Sequence, residues 1–361
     1  MNSFSPTFAT NEVPFFSVCI PQYNRTSFLI EALTALAGQT FKNFEVCISD
    51  DCSSDGRQTE LEQALREFGM PYVFRRQPRN LRYDGNLRTA IGLASGTYCL
   101  LMGNDDRLAE PETLERLNSL IIKEENIGVV ITNYLDQTTQ EIYRRVRATR
   151  IVGFGPLIAE RNFRNFSFVS GIILRRDRAV AHATTKWDGA EMYQMYVGSR
   201  IIAEGYALME VEDVSVVQGI QIPGQTVDSY AAKPRLYPCP IQERKTPLTQ
   251  MGRLVIDAIR PYSTKGVSAL GVSIFFQIFA FPYAFWLLEY RRVQSWNYSF
   301  GICLGMRPRN VLANTSLHWP HSLFLRSFYL IVTFAGLIMP LRLFDFLRSR
   351  FYAFAKSAFR R

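Results

Sequence analysis

The sequence predicts an α/β protein, with a Rossmann-like, mainly parallel sheet followed by a separate helical region. Three observations predict it. Short apolar runs alternate with amphipathic helical segments from residue 15 to about 135. Polar clusters stand directly after those runs, where an open parallel sheet binds its ligands. The last hundred residues then become basic and apolar together.

FFSVCIP (15–21) reads as a buried strand, Asn24 to Ala37 as a helix and FEVCISD (44–50) as the second strand. The alternation continues through Glu60–Phe68, YVFRR (72–76), Asn86–Ala94, TYCLLM (97–102), Glu112–Glu124 and GVVIT (128–132). Short strands joined by helices of this length imply right-handed crossovers. Between 133 and 170 the pattern blurs, and RRVRATR (144–150) with Gly153-Phe154-Gly155-Pro156 suggests a mobile or acceptor-side loop. FSFVSGIILRR (166–176) reads as a strand, 191–204 as a helix and YALMEVED (206–213) as a strand. Pro223, Pro234, Pro238, Pro240 and Pro247 mark a linker. The expected division is a tail (1–14), an α/β domain (15–220), a Pro-rich linker (221–260) and a helical region (261–361).

At 361 residues and 47% apolar composition, the chain can bury a sizeable core. The net charge of +9 is local: residues 260–361 hold thirteen Lys/Arg against Glu289 and Asp345, leaving 28 basic and 30 acidic residues before them. A basic segment that is also rich in Phe, Leu, Ile and Trp suits an anionic membrane surface better than nucleic acid.

Val267 to Leu288 is uncharged over 22 residues, long enough to span a bilayer, whereas Ser327 to Leu341, at 15, would span poorly. A crossing by the first would put Arg291, Arg292, Arg307 and Arg309 outside, against the positive-inside tendency. Helices lying in the inner leaflet, with Trp286, Trp296 and Trp319 near the interface, are therefore favoured over a span or a buried helical subdomain. The six cysteines form no C-x-x-C pair and read as reduced thiols. His318 and His321 have no Cys or carboxylate beside them and are not read as metal ligands. The N-terminus shows neither a basic n-region nor an apolar h-region, so the soluble part is expected in the cytoplasm.

Three clusters end the strands: Gln22-Tyr23-Asn24-Arg25, Asp50-Asp51 and Gly103-Asn104-Asp105-Asp106. Paired carboxylates on a turn offer hard oxygen ligands for Mg²⁺ or Mn²⁺ bridging a diphosphate, and Gly103 permits close backbone approach.

SVCIPQYNR (17–25), QTFKNFEVCISDDCSSDG (39–56) and LASGTYCLLMGNDD (93–106) together resemble the N-terminal half of inverting glycosyltransferase family 2, of bacterial surface-polysaccharide type. That resemblance covers about 15–135 and implies the GT-A fold. It also implies that Pro21 and Tyr23 flank the nucleotide base and that Asp51 accepts its N–H. Asn24 belongs to the same nucleotide-binding cluster, with Arg25 near the phosphates. Asp105 would face the sugar and ribose, and Asp106, with Asp105, would hold the metal. RNLRYDGNLRTA (79–90) resembles the family's next stretch more loosely, making Arg82, Asp84, Asn86 and Arg88 candidate contacts. Asn86 at a helix entry would serve equally as an N-cap.

Inversion needs a general base, which the family usually supplies at the start of a later helix. In WDGAEMYQMYVGSRIIAEGY (187–206) the paired acids are displaced. Glu191 is the first candidate and Asp188 the second, though either would also suit the helix dipole. Trp187 is a candidate acceptor platform or a core residue.

The implied reaction moves a hexose or deoxyhexose from a nucleoside-diphosphate sugar to a membrane-held, lipid-linked glycan, such as a polyprenyl-diphosphate oligosaccharide in O-antigen assembly. Polyprenyl phosphate itself is the nearest rival acceptor, and a non-catalytic scaffold is the rival of another class. A dinucleotide-dependent dehydrogenase lacks its Gly-x-Gly-x-x-Gly turn, which Gln22-Tyr23-Asn24 replaces. The expected setting is the cytoplasmic face of the inner membrane, held through 261–361, as a possible homo-oligomer.

Overall fold

The computed structural model describes residues 3–4, 13–225, 247–293 and 296–347. Cys239, Pro234, Pro238, Pro240 and the basic tail from 348 lie outside the described residues. The chain divides into two units, one of Met1–Ile158 with Arg164–Ser229, the other of Ala159–Phe163 with Tyr230–Arg361.

In the first unit the elements run β1 (Ser3–Phe4), β2 (Phe16–Gln22), α1 (Thr26–Ala37), β3 (Phe44–Asp50), α2 (Gln58–Glu67), β4 (Tyr72–Arg76) and α3 (Arg82–Leu93). They continue with β5 (Tyr98–Leu101), β6 (Arg107–Leu108), α4 (Thr113–Ile121), β7 (Ile127–Asp136), β8 (Ile142–Tyr143), β9 (Arg150–Gly153) and α5 (Pro156–Asn162), whose end enters the second unit. The last are β10 (Ile172–Arg175), α6 (Arg176–Ala181), α7 (Tyr193–Glu204) and β11 (Ala207–Gln218).

One sheet holds them in the order β1-β4-β3-β2-β5-β10-β7-β11-β6, with β8 on β7 and β9 on β11. Its longest pairings, β2–β3, β3–β4 and β7–β11, are parallel, and antiparallel β10 lies between β5 and β7. The strands β2, β3 and β5 are fully or nearly fully buried, as their continuous apolar runs require. Glu45 in β3 is a buried carboxylate: its Oε1 accepts from Ser17 Oγ at 2.6 Å, Ser95 N at 2.6 Å and Gly96 N at 3.2 Å, and so fastens the entry to β5.

Three expectations need correction. The helix expected to open at Asn86 starts four residues earlier, because Arg82 adopts a left-handed φ of 60° and donates its N–H to Asn80 Oδ1 at 2.9 Å. The strand expected over 166–176 is confined to Ile172–Arg175, because Gly171 turns the chain at φ 77°. Arg145, expected in a mobile or acceptor-side loop, is held rather than mobile: it is buried and donates to the carbonyls of Thr132, Phe168 and Ser170 at 2.7–2.9 Å.

In the second unit, α8 (Pro247–Ile259) packs on α9 (Val267–Ile278), which continues through a π-turn around Pro282 into α10 (Ala284–Val293). Then come α11 (Trp296–Gly305), α12 (Pro308–Val311) and α13 (Trp319–Ile338). A Cβ at Gly252 would stand 2.2 Å from Phe275, and one at Gly336 would stand 2.6 Å from Leu287, so glycine sets both helix contacts. Arg291 donates to the carbonyls of Gly336 and Met339 at 2.6 and 2.8 Å, capping α13 at its negative end.

Val267–Arg292 and Trp319–Ile338 are both long and apolar enough to cross a membrane. The second corrects the 15-residue reading: Pro320 at the first turn lets the helix begin at Trp319 and run through Arg326. The two differ in burial, 56% of the apolar window for the first and 17% for the second.

Candidate active site

Parallel pairing places the carboxyl ends of β2, β3 and β5 side by side, with Gln22 opposite Asp50 and Cys19 opposite both Cys47 and Leu101. The three polar clusters therefore share one rim. Asn24 and Arg25 both take left-handed backbone, at φ 51° and 61°, turning the chain out of β2 and into α1. The Asn24 N–H donates to Ser53 Oγ at 2.7 Å, and Asn24 Oδ1 accepts from Ser54 N at 2.8 Å. Asn24 thus fixes two loops to each other. Pro21, one residue before the end of β2, is half-buried, and Tyr23 just past that end is 48% exposed.

Asp51 is buried and accepts the Leu81 N–H at 2.5 Å, while its carbonyl accepts from Asn80 Nδ2 at 3.2 Å. Burial raises its carboxyl pKa. Asn86, inside α3 and buried, donates to the Gln22 carbonyl at 2.9 Å and ties the helix to the rim. Arg82 is exposed beside this loop and has no side-chain partner among the described residues. A cavity of about 310 Å³ adjoins the rim, lined by Gln22, Asp50, Ser53, Asp55, Gln58 and Arg76 among others. Neither Asp51 nor the acidic turn lines it.

At that turn, Asp105 pairs with Arg25 at 2.9 Å, and the same guanidinium lies over the Phe28 ring at 4.6 Å. Asp106 is buried: Oδ2 accepts from Ser170 Oγ, and Oδ1 accepts the Gly219 N–H at 3.0 Å. Burial first, and then the Asp105 charge, push the Asp106 carboxyl up to about 7, against Ser170, Gly219 and Arg25. Ser170 Oγ also accepts the Gly103 N–H at 2.8 Å. A Cβ on Gly103 would stand 3.0 Å from Asp106 Oδ2 and 3.1 Å from Asp105 Oδ1, so a side chain here would press both carboxylates out of place by a few tenths of an ångström.

Two adjoining carboxylates, one of which holds a proton near neutrality, have the chemistry of a hard-cation site, because a dication can replace that proton. Among the described residues no group of three or more His, Cys, Asp or Glu could hold a metal. Asp105 and Asp106 fit a cation whose other ligands are diphosphate and water.

On the far side of α3, buried Asp84 accepts the backbone N–H groups of Gly189 and Glu191 at 2.8 Å and of Tyr193 at 3.0 Å. Both of its carboxylate oxygens accept from this loop and so hold it in place. Asp188 is engaged as well, by Arg88 at 2.5 and 2.8 Å. Arg88 is thereby the ion-pair partner of Asp188. Glu191 is half-buried at φ 56°, and its carboxylate has no hydrogen-bond or ion-pair partner among the described residues. Trp187 is half-buried with Lys186 Nζ 5.3 Å from its ring.

The sequence reading missed Ser170 and the Gly219 N–H, both on Asp106. For Ser170 the available signal was the Ser-Gly pair breaking an apolar run.

Residues 17–184 match the family described as Glycosyl transferase family 2. Among curated proteins the chain is similar to the abequosyltransferase RfbV of Salmonella typhimurium, 27% identical over 206 residues, covering 51% of this chain and 57% of that one. It is also similar to the amylovoran biosynthesis glycosyltransferase AmsB of Erwinia amylovora, 31% identical over 170 residues, covering 45% and 56%. The matched segment thus spans a little over half the length of each relative. Among solved structures, S. aureus TarS residues 1–349 in complex with UDP aligns at a TM-score of 0.59 and 16% identity over 89% of both chains. The same protein with UDP-GlcNAc aligns at 0.56 and 17%. At such identity the likeness is one of fold.

Proposed function

We propose that the chain, whose residues 17–184 match Glycosyl transferase family 2 and whose sheet is GT-A-like, is a metal-dependent inverting enzyme. It transfers a sugar from a nucleoside diphosphate to a lipid-linked glycan at the cytoplasmic membrane face. The observation that carries this reading is the acidic turn: Asp105 and Asp106 on the rim, one paired with Arg25 and the other buried on Ser170.

The base stacks on Tyr23 and is read by Asp51, with Pro21 and Asn24 shaping that end. Arg25 and Arg82 supply positive charge for the diphosphate. A divalent cation, Mn²⁺ or Mg²⁺, held by Asp105 and Asp106 would neutralise the departing diphosphate. Glu191 takes the proton of the acceptor hydroxyl as that oxygen forms its bond to the anomeric carbon. The bond from that carbon to the phosphate oxygen breaks on the opposite face, and its electron pair leaves with the nucleotide. The free carboxylate of Glu191 supports this choice over Asp188, which Arg88 occupies.

Similarity to an abequosyltransferase and to an amylovoran biosynthesis glycosyltransferase supports an acceptor in polysaccharide assembly. The second unit, with its apolar α13, supports membrane attachment, which would concentrate a lipid-linked acceptor. Transfer assays with polyprenyl-diphosphate glycan and with polyprenyl phosphate separate the two acceptor classes. Product from the first alone supports the reading, and product from the second alone moves the acceptor to the bare lipid phosphate.

A further inference from the structure

In the second unit, three arginines surround a pocket that the transfer reaction does not use. The pocket measures about 300 Å³ and is lined by Arg307, Pro308, Arg309, Arg326, Tyr329 and Leu330. Its floor is apolar and fixed: Pro308 and Tyr329 are buried, and the Tyr329 hydroxyl is committed to the Cys303 carbonyl at 2.6 Å. Among the described residues no carboxylate lines it. Arg309 and Arg326 are exposed and Arg307 is half-buried, and none of their guanidinium groups has a hydrogen-bond or ion-pair partner among the described residues. Other arginines of this unit are committed, Arg291 to the end of α13 and Arg292 to Glu289 at 3.2 Å.

Three unpaired guanidinium groups brought together repel one another unless an anion joins them, and their planar forks match phosphate oxygens. The surface beside the pocket identifies the anion's carrier. Along α13, Leu323, Leu330, Ile331, Phe334 and Ile338 are 56–66% exposed at helical spacing, and Trp319 at its start is 77% exposed. A 20-residue helix is about 30 Å long, so this stripe is far larger than the scattered apolar side chains of an ordinary surface. Arg326 lies one turn before Leu330, so the cationic pocket and the apolar stripe share one edge.

We infer that Arg307, Arg309 and Arg326 hold the headgroup phosphate of an anionic membrane lipid while α13 lies in the bilayer interface. The more buried helix Val267–Arg292 supports α13 from beneath rather than crossing the membrane. This deepens the membrane attachment proposed above and rests on it, but its readout is vesicle binding and needs no transfer.

The test uses the full chain in co-sedimentation with vesicles of phosphatidylcholine alone and of phosphatidylcholine mixed with phosphatidylglycerol. The wild type should prefer the anionic vesicles. Arg307→Gln with Arg309→Gln and Arg326→Gln should weaken that binding by about a hundredfold, at roughly fivefold per cation. A control at two exposed arginines of the same unit outside the pocket, Arg260→Gln with Arg342→Gln, should change it by less than tenfold. Unchanged thermal melting of the variants shows that the fold persists. Equal loss per cation removed in both sets would mean diffuse charge attraction and would overturn the pocket while leaving membrane attachment standing. Absence of vesicle binding by the wild type would overturn both. Saturable binding of glycerol 3-phosphate without vesicles, lost in the triple variant, would overturn the lipid as the source.

Discussion

Asp84 accepts the backbone N–H of Glu191 at 2.8 Å across 107 residues of sequence. The same carboxylate takes the N–H groups of Gly189 and Tyr193, so one buried side chain holds the loop presenting the proposed base. Asp84→Asn keeps the shape but exchanges an acceptor oxygen for a donor facing those N–H groups. Hydrogen bonds to a charged group contribute about 1.5–3 kcal/mol each. The substitution should lower kcat at least tenfold and leave nucleotide affinity nearly unchanged, as steady-state kinetics with a nucleotide titration would measure. A raised nucleotide Kd with normal kcat would place Asp84 at the donor instead.

Glu191 and Asp188 separate in the same assay. Glu191→Gln should lower kcat by roughly 10²–10⁴, the usual contribution of a general base, without weakening donor binding. Asp188→Asn breaks an ion pair in which the acid is 38% exposed, and such pairs contribute about 1 kcal/mol or less. Its kcat should fall only a few-fold. The reverse ranking would transfer the base role to Asp188.

The Asp106 carboxyl sets a pH dependence whose sign follows from its raised value. Folded, it titrates near 7; unfolded, it titrates near the ordinary aspartate value of about 3.9. Between these pH values the folded chain binds the extra proton, so its contribution to stability is full below about 3.9 and is lost as pH rises through about 7. Metal-free protein should therefore gain stability on going from neutral toward mildly acidic pH at this site. A dication competes for the same oxygens, so Mn²⁺ affinity should rise with pH up to about 7 and level off above it. Calorimetric titration of Mn²⁺ with nucleoside diphosphate across this range checks the slope; a flat profile would remove Asp106 from the metal.

Ser170→Ala removes a donor to Asp106 and an acceptor for the Gly103 N–H. The carboxylate loses a partner that favours its charged form, so its pKa should rise further. Metal affinity should fall near neutrality and recover at higher pH. A loss that is independent of pH would point to displacement of the turn instead.

How much of this was legible in the sequence follows from the range of each contact. The Asp50-Asp51 and Gly103–Asp106 clusters were readable because each follows an apolar run, and parallel pairing alone brings the strand ends together. The Ser170–Asp106 and Asp84–Glu191 contacts span 64 and 107 residues, and no local spacing announces them. The start of α3 was misplaced because Asn86 looks like a helix opener by residue type, whereas Asn80 receives the N–H of left-handed Arg82. In the second unit, ending the apolar run at Arg326 hid the first eight residues of a helix that accepts an arginine on its exposed face.

Metal-linked nucleotide binding at Asp105 and Asp106 is the central claim, and a thermal-shift panel of nucleoside diphosphates and their sugars, with and without Mn²⁺, tests it most directly. At least one nucleotide should raise the melting temperature of the wild type only when Mn²⁺ is present, and Asp106→Asn, still folded by circular dichroism, should lose that response. A panel with no Mn²⁺-dependent shift, or an Asp106→Asn protein that responds like the wild type, would contradict it.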